Sequence, residues 1–207
     1  AREHWDFGSS WRHENRDGNK SFGAVIGNNG GNPRAVLIPE PIDYSSDDFD
    51  AVMSFRDQKK QFSLAYHASL FDNNQGSFGW ENPYNSINGW TPVVVGFPNG
   101  EGQAGGPPEN QFHQVSAAGG WNFSGTMRLD GDLAYGRMTQ DDDYLPYTIN
   151  PALAATITQP LPRGSLDARI DTTLGNLRLS GRPTDRLRWH AGLRYDRYSS
   201  YLPEQGN

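Results

Sequence analysis

The chain has 207 residues with 18 basic and 24 acidic side chains, which give a formal net charge of −6. This acidic balance argues against nucleic-acid binding, because such binding depends on clustered lysine and arginine. The sequence contains no cysteine, which excludes disulfide scaffolds, thiolate metal sites and covalent c-type haem attachment.

The alternation of apolar and polar residues predicts β-strands, because successive side chains of a strand point to opposite faces. The predicted strands, in chain order, cover residues 5–12, 22–26, 48–56, 61–71, 114–121, 127–138, 166–179 and 187–198. In the last of them, Leu187, Trp189 and Leu193 share one face. In the segment 166–179 the apolar positions change parity near Gly175, where we predict a β-bulge.

The connections between these strands alternate between short and long. The short ones cover residues 15–20, 57–60, 122–125 and 181–186, and the long ones cover residues 27–47, 72–110 and 139–164. In an up-and-down meander every second connection lies at the same end. Outer-membrane barrels show this asymmetry, with tight periplasmic turns and long external loops. The sequence therefore predicts one all-β domain over residues 1–207, an antiparallel up-and-down transmembrane β-barrel of about eight strands, with a soluble β-sandwich as the alternative.

Sequence motifs that would indicate chemistry are absent. The five histidines have no metal-ligand spacing, and neither a GxSxG elbow nor a P-loop is present. The runs Asp47-Asp48 and Asp141-Asp142-Asp143 lack the spacing of a calcium loop, and we interpret them as solvated carboxylates. Asp130 and Asp132 could flank a sugar, but a salt-bridge ladder with Arg128 is the simpler interpretation. We therefore expect no catalytic, cofactor-binding or metal site, and no enzymatic activity.

A polar strand face is the functional feature that the sequence predicts. Charged residues of both signs alternate with apolar ones in the last three strands, so they would point into a hydrated lumen or towards a protein inside it. Ion pairs among these residues across neighbouring strands are an equally good interpretation. The residues predicted to face the lumen or a partner are Arg128, Asp130, Asp132, Arg169, Asp171, Arg178, Arg188, His190 and Arg194. His113 differs from the other histidines, because its parity places it on the apolar face, near the loop-side membrane boundary.

Several sequence blocks are distinctive when they are taken together. They are DYSSDDFDAVMSFR (43–56), SLAYHASLFDNNQGSFGWENPY (63–84), NQFHQVSAAGGW (110–121), LAYGRMTQDDDYLPYTINPAL (133–153) and SLDARIDTTLGNLRLSGRP (165–183). The chain, from about Trp5 to Tyr198, closely resembles the MtrB/PioB family of decahaem-associated outer-membrane proteins.

The resemblance implies a barrel that houses and insulates a periplasmic decahaem c-type cytochrome for electron transfer across the bacterial outer membrane. The haems would belong to that partner, an extracellular multihaem cytochrome would be a further partner, and this chain would bind no cofactor. Family members are several times longer, so the chain would form roughly a third of a full barrel wall. A passive outer-membrane diffusion porin and a secreted carbohydrate-binding or hydrolytic β-sandwich remain the alternatives.

Overall fold

The protein is built almost entirely from β-strands. The computed structural model describes residues 4–29, 32–81, 101–149 and 154–202. Within these ranges the strands are β1 (His4–Asn29), β2 (Asn32–Arg56), β3 (Lys60–Asn73), β4 (Ser77–Glu81), β5 (Glu101–Gly105), β6 (Asn110–Ser124), β7 (Met127–Gln140), β8 (Ala168–Thr184) and β9 (Leu187–Tyr201). None of the described residues belongs to a helix that is long and apolar enough to cross a membrane.

Seven strands form one sheet in the order β1-β2-β3-β6-β7-β8-β9, and β4 and β5 form a separate two-stranded ribbon. Every neighbouring pair in the large sheet is antiparallel, which confirms the predicted antiparallel all-β meander. The sheet is open: β1 and β9 are its edges, and no described strand pairs with the outer side of either.

β1 and β2 form a hairpin that is much longer than the sequence predicts. They pair along their whole length, up to Asn29 opposite Asn32. The predicted turn at 15–20 and the predicted long connection at 27–47 are therefore wrong, and the first two predicted strands are one strand. Gly18 has a φ of 141°, which glycine tolerates, so this turn-like position distorts the strand without reversing it. The sheet consequently has seven strands where the sequence predicts eight.

The hairpin continues beyond the rest of the sheet, because β3 ends opposite Tyr44. We call residues 17–29 and 32–43 the hairpin extension. Its β2 half carries Pro39 and Pro41, which lack the backbone N–H that a paired strand would need. Within the extension, β2 therefore pairs with β1 and not with β3.

The ribbon β4–β5 packs against the hairpin extension. The ring of Phe22 lies 5.0 Å from the ring of Phe78 and 5.8 Å from that of Trp80, measured between centroids. Across the hairpin, Lys20 Nζ lies 2.8 Å from Glu40 Oε1. These contacts explain why a segment rich in turn-forming residues remains extended.

The β-bulge predicted at Gly175 is wrong. The register of β8 runs without interruption through Gly175, which lies opposite Leu133 on one side and Tyr195 on the other. Leu174 and Leu177 therefore point to opposite faces of the sheet. The change in parity arises because the apolar residues before Gly175 and those after it lie on opposite faces of the sheet, and not because of an extra residue.

Large apolar side chains lie on the surface of the sheet and not in a core. Among the described residues only Ala24 and Ala68 are buried apolar residues, whereas Phe7 is 74% and Leu193 is 70% exposed. No second sheet covers these side chains within the described part of the chain. The β-sandwich alternative, which needs two sheets packed face to face, is therefore wrong.

Tight turns and long segments lie at opposite ends of the sheet. Residues 57–59, 125–126 and 185–186 join neighbouring strands at one end, which we call the turn end. The described connecting residues 74–81, 101–109, 141–149 and 154–167 and the hairpin extension lie at the other end, which we call the loop end.

Candidate functional site

The register divides the sheet into two chemically different faces, because directly opposite residues of paired strands share a face. One face, which we call the apolar face, carries Trp5, Phe7, Trp11, Phe49, Met53, Phe55, Phe62, Leu64, Tyr66, Val115, Trp121, Leu129, Leu133, Tyr135, Leu177, Leu179, Trp189, Leu193 and Tyr195. The other face, which we call the polar face, carries mainly charged, hydroxyl and small residues. The period-two patterns read from the sequence assign most of these positions to the same two groups.

Seven of the nine residues predicted to face the lumen share the polar face. They are Arg128, Asp130, Asp132, Arg178, Arg188, His190 and Arg194. Arg169 and Asp171 lie on the apolar face, opposite Tyr201 and Ser199 on β9. Their placement is a correction with a simple cause: without a bulge at Gly175, their odd positions stay on the side of Leu177.

The polar face is concave. A cavity of about 930 Å³ is lined by Asp6 on β1 and by Arg194 on β9, the two edge strands, and by Asp130 and Arg178 between them. One cavity can touch both edges only if the sheet curls around its polar side. The apolar face is therefore the convex, outward surface.

Ion pairs and hydrogen bonds on the polar face connect neighbouring side chains. Arg128 Nη2 lies 2.7 Å from Asp130 Oδ1, and Arg128 Nη1 donates to Asn122 Oδ1 at 3.1 Å. Asn176 Nδ2 donates to Asp132 Oδ2 at 2.8 Å. Asp130 and Asp132 thus have different partners within the wall, which favours the ladder interpretation over a pair of carboxylates flanking a sugar.

A glycine provides the space for this ladder. A Cβ atom at Gly120 would collide with the guanidinium of Arg128 and would come within 2.8 Å of Asp130 Oδ1. The ion pair therefore lies flat against the backbone of β6. This contact could not be predicted from the sequence, because it depends on the cross-strand register.

Four basic side chains of the polar face are without such partners. Arg56, Arg178, Arg188 and His190 make no ion pair with any residue in the described ranges. Arg178 lies directly opposite Asp130, whose Oδ1 is taken up by Arg128. These side chains are available to a molecule on the concave side.

The predicted acidic runs are divided among other contacts. Asp47 lies on the apolar face and accepts a hydrogen bond from Trp11 Nε1 at 2.8 Å, whereas Asp48 pairs with Arg12 on the polar face. Asp142 accepts a hydrogen bond from the backbone N–H of Glu109 at 2.8 Å. Within the described ranges, no group of three or more acidic or histidine side chains is placed to hold a metal ion.

Polar and aromatic residues border the apolar face at the loop end. Tyr66 Oη lies 2.8 Å from Nδ1 of His113, which occupies the apolar face as its parity predicts. His13 Nδ1 lies 2.9 Å from Asp47 Oδ1 on the same face. Amphipathic rings with polar atoms at one end are typical of a membrane boundary.

A second border lies at the turn end. Lys60 Nζ is 5.8 Å from the centre of the Trp121 ring, and the ring centres of Trp5 and Phe55 are 4.9 Å apart. From Lys60 to Ala68, which lies opposite His113, β3 extends by about 27 Å, or about 21 Å along the membrane normal at a strand tilt of about 40°. The apolar band of an outer-membrane barrel is about 25 Å tall, so the spacing of the two borders is close to that of the two sides of a bilayer.

The border at the loop end runs obliquely across the sheet. On the apolar face of β1, Trp11 is followed by His13. The residues that lie directly opposite one another lead from Trp11 across the sheet to Ser199 on β9. On β9 the corresponding aromatic residue is Tyr195, four residues earlier. Strands that are tilted relative to a flat membrane produce this offset.

Comparisons with known proteins agree with this geometry. The family model described as outer membrane beta-barrel porin, MtrB/PioB, matches residues 1–200. Outer membrane protein MtrB of Shewanella baltica (strain OS185) is 24% identical over 192 residues, which make up 93% of this chain and 24% of the relative. The chain thus spans about a quarter of the length of this relative, less than the third that the sequence predicts.

Proposed function

Because the chain belongs to the MtrB/PioB family of outer-membrane β-barrel porins, we propose that it forms part of a barrel wall that encloses and insulates a decahaem c-type cytochrome. The observation that carries the proposal is the division of one curved sheet into a convex apolar face and a concave polar face. The convex face meets lipid, and the concave face is left for a hydrated protein guest.

The insulating role follows from the physics of the wall. In hydrocarbon, every backbone N–H and C=O must be satisfied internally, and a closed barrel achieves this without exposed edges. Such a wall separates the redox groups of a guest from the aqueous phases along the whole thickness of the membrane. The electron-carrying groups belong to the guest, because this chain has no cysteine for covalent haem attachment.

The charges of the concave face suit such a guest. Arg178, Arg188 and His190 carry no ion pair within the described ranges, and haem groups bear carboxylate side chains. The two arginines would complement these carboxylates and orient the guest.

The described strands alone are too few to enclose a protein guest. The cavity of about 930 Å³ that seven strands enclose is the size of a small-molecule pocket and not of a multihaem protein. Seven strands in 24% of the relative's length scale to roughly 29 strands for the whole wall, which is wide enough for a lumen that a protein can fill. The remaining wall would pair with the open edges of β1 and β9.

The test is to purify the outer-membrane protein that contains this chain from cells that also produce periplasmic c-type cytochromes. We expect stoichiometric haem in the purified complex and electron transfer across a vesicle membrane that holds it. A diffusion porin, the other function compatible with a polar lumen, would instead contain no haem and would conduct ions as the isolated protein.

The contribution of this part of the wall is tested by the double variant Arg178→Glu and Arg188→Glu. We expect severalfold less haem to be retained, because two cations become anions on the concave face. Arg186→Glu, which changes the same charge in the β8–β9 turn, should retain the wild-type haem content. Equal haem content in all three proteins would contradict the assignment of these arginines to the guest.

A further inference from the structure

Three arginines lie on the apolar face at the loop end of neighbouring strands. Arg137 on β7, Arg169 on β8 and Arg197 on β9 all occupy odd positions of one continuous register. They stand at the border of the lipid-facing band and not in the lumen. We propose that these arginines, which we call the arginine cluster, bind the phosphate groups of a glycolipid in the outer leaflet of the outer membrane.

A shared carboxylate holds two of these arginines in place. Arg137 Nε lies 2.8 Å and Arg169 Nε 3.1 Å from the carboxylate of Asp171. Tyr135 Oη donates to Asp171 Oδ1 at 2.8 Å, and Arg137 Nη2 donates to Tyr135 Oη at the same distance. Arg169 also lies 5.4 Å from the centre of the Tyr201 ring. Both guanidinium groups are therefore positioned before a ligand arrives, while terminal nitrogens remain for it.

The charge of the cluster is unbalanced. Asp171 neutralises one of three guanidinium groups, and Arg197 makes no ion pair with any residue that the structure describes. Two positive charges thus remain on a lipid-facing surface of a chain whose net charge is −6. Isolated cations beside hydrocarbon are costly, so an anion of the lipid surface is the complementary partner.

The position along the strands identifies the class of lipid. The cluster lies at the loop end, and in outer-membrane barrels the long loops face the cell exterior. The exterior leaflet of that membrane is built from glycolipids whose sugars carry phosphate. Guanidinium groups bind phosphate through charge-assisted hydrogen bonds, and Arg137 and Arg169 contact Asp171 through Nε, which leaves terminal nitrogens for such bonds.

The experiment measures glycolipid binding to the outer-membrane protein that contains this chain, purified in detergent. Bound lipid is counted by native mass spectrometry during titration with bisphosphorylated lipid A, with the same glycolipid after removal of its phosphates, and with inorganic phosphate. The variants are the triple substitution Arg137→Gln, Arg169→Gln and Arg197→Gln, and the single substitution R197Q. The matched control is Arg12→Gln, an arginine at the same height on the polar face.

We expect the wild type and R12Q to bind bisphosphorylated lipid A equally and more tightly than the dephosphorylated form. R197Q, which removes a side chain without an ion pair in the described structure, should weaken binding about fivefold, and the triple variant on the order of 100-fold. R197Q alone decides the matter if the triple variant does not fold. Unchanged binding by these variants, or equal binding of the dephosphorylated glycolipid, would overturn the proposal. Saturation by inorganic phosphate with no retained glycolipid would also overturn it, because the site would then serve a soluble anion.

Discussion

Replacement of Leu133 by arginine tests the assignment of the two faces most directly. Leu133 is 57% exposed on the apolar face of β7 and lies four residues from both Leu129 and Arg137. Four residues correspond to about 13 Å along the strand, or about 10 Å of depth at a tilt of about 40°. Leu133 therefore lies near the middle of the lipid-facing band.

An arginine at the midplane of an outer-membrane barrel costs about 2–4 kcal/mol, because its charge meets hydrocarbon. We expect Leu133→Arg to lower the free energy of unfolding by this amount, which is a factor of about 30 to 900 in the folding equilibrium. The measurement is reversible urea unfolding of the protein that contains this chain, in lipid vesicles, with the m-value checked for constancy.

Ala134→Arg is the matched control, because Ala134 is the next residue of the same strand and points to the concave face. Its cost should stay within about 0.5 kcal/mol, as for an ordinary surface substitution. Equal costs for the two variants would refute the face assignment, and a larger cost for Ala134→Arg would reverse it.

Two further predictions concern the ladder and a turn. Gly120→Val should displace Arg128 from its ion pair and lower the free energy of unfolding by about 0.5–1 kcal/mol, and an unchanged value would contradict the close approach seen at this glycine. Hydrogen bonds from the backbone N–H groups of Lys59 and Lys60 hold the pKa of Asp57 below its usual value of about 3.9. This carboxylate therefore stabilises the folded state above that value, and the stabilisation is lost as the pH falls through the lower pKa of the folded state. Stability curves of wild type and Asp57→Ala should converge in acid, whereas Asp57→Asn should lack this pH dependence, and parallel wild-type and D57A curves would contradict the prediction.

The sequence predicts the faces of β7 and β9 because alternation there is set by lipid on one side and water on the other. From Met127 to Tyr135 and from Leu187 to Tyr195 the large apolar side chains occupy odd positions, and the structure places them on one face. The information is local, so a period of two is sufficient to read it.

Prediction fails where distant partners decide the conformation. Asp17 and Gly18 are typical turn residues, yet β1 continues through them because β2 and the ribbon hold it extended. Such contacts join residues far apart in sequence, and no local pattern encodes them.

The false bulge at Gly175 has a different cause. Phe112, Met138 and Ile170 form an apolar row across the polar face near the loop end. They occupy even positions whereas Leu177 occupies an odd one, and in the sequence this change of parity looks the same as a one-residue insertion. The alternation of apolar residues therefore identifies the lipid-facing side correctly within the lipid-facing band and incorrectly at the loop end beyond it.

Pro39 and Pro41 determine on which flank the hairpin extension can accept another strand. With no amide hydrogen, they fit the hairpin only if their nitrogens face away from β1, towards the flank of β2 that no described strand pairs with at these positions. A neighbouring barrel in a crowded outer membrane therefore finds no donors at these positions with which to annex the projecting hairpin into its own sheet. The flank of β1 contains no proline between His4 and Asn29, so recruitment of another strand is open on one side of the hairpin and blocked on the other.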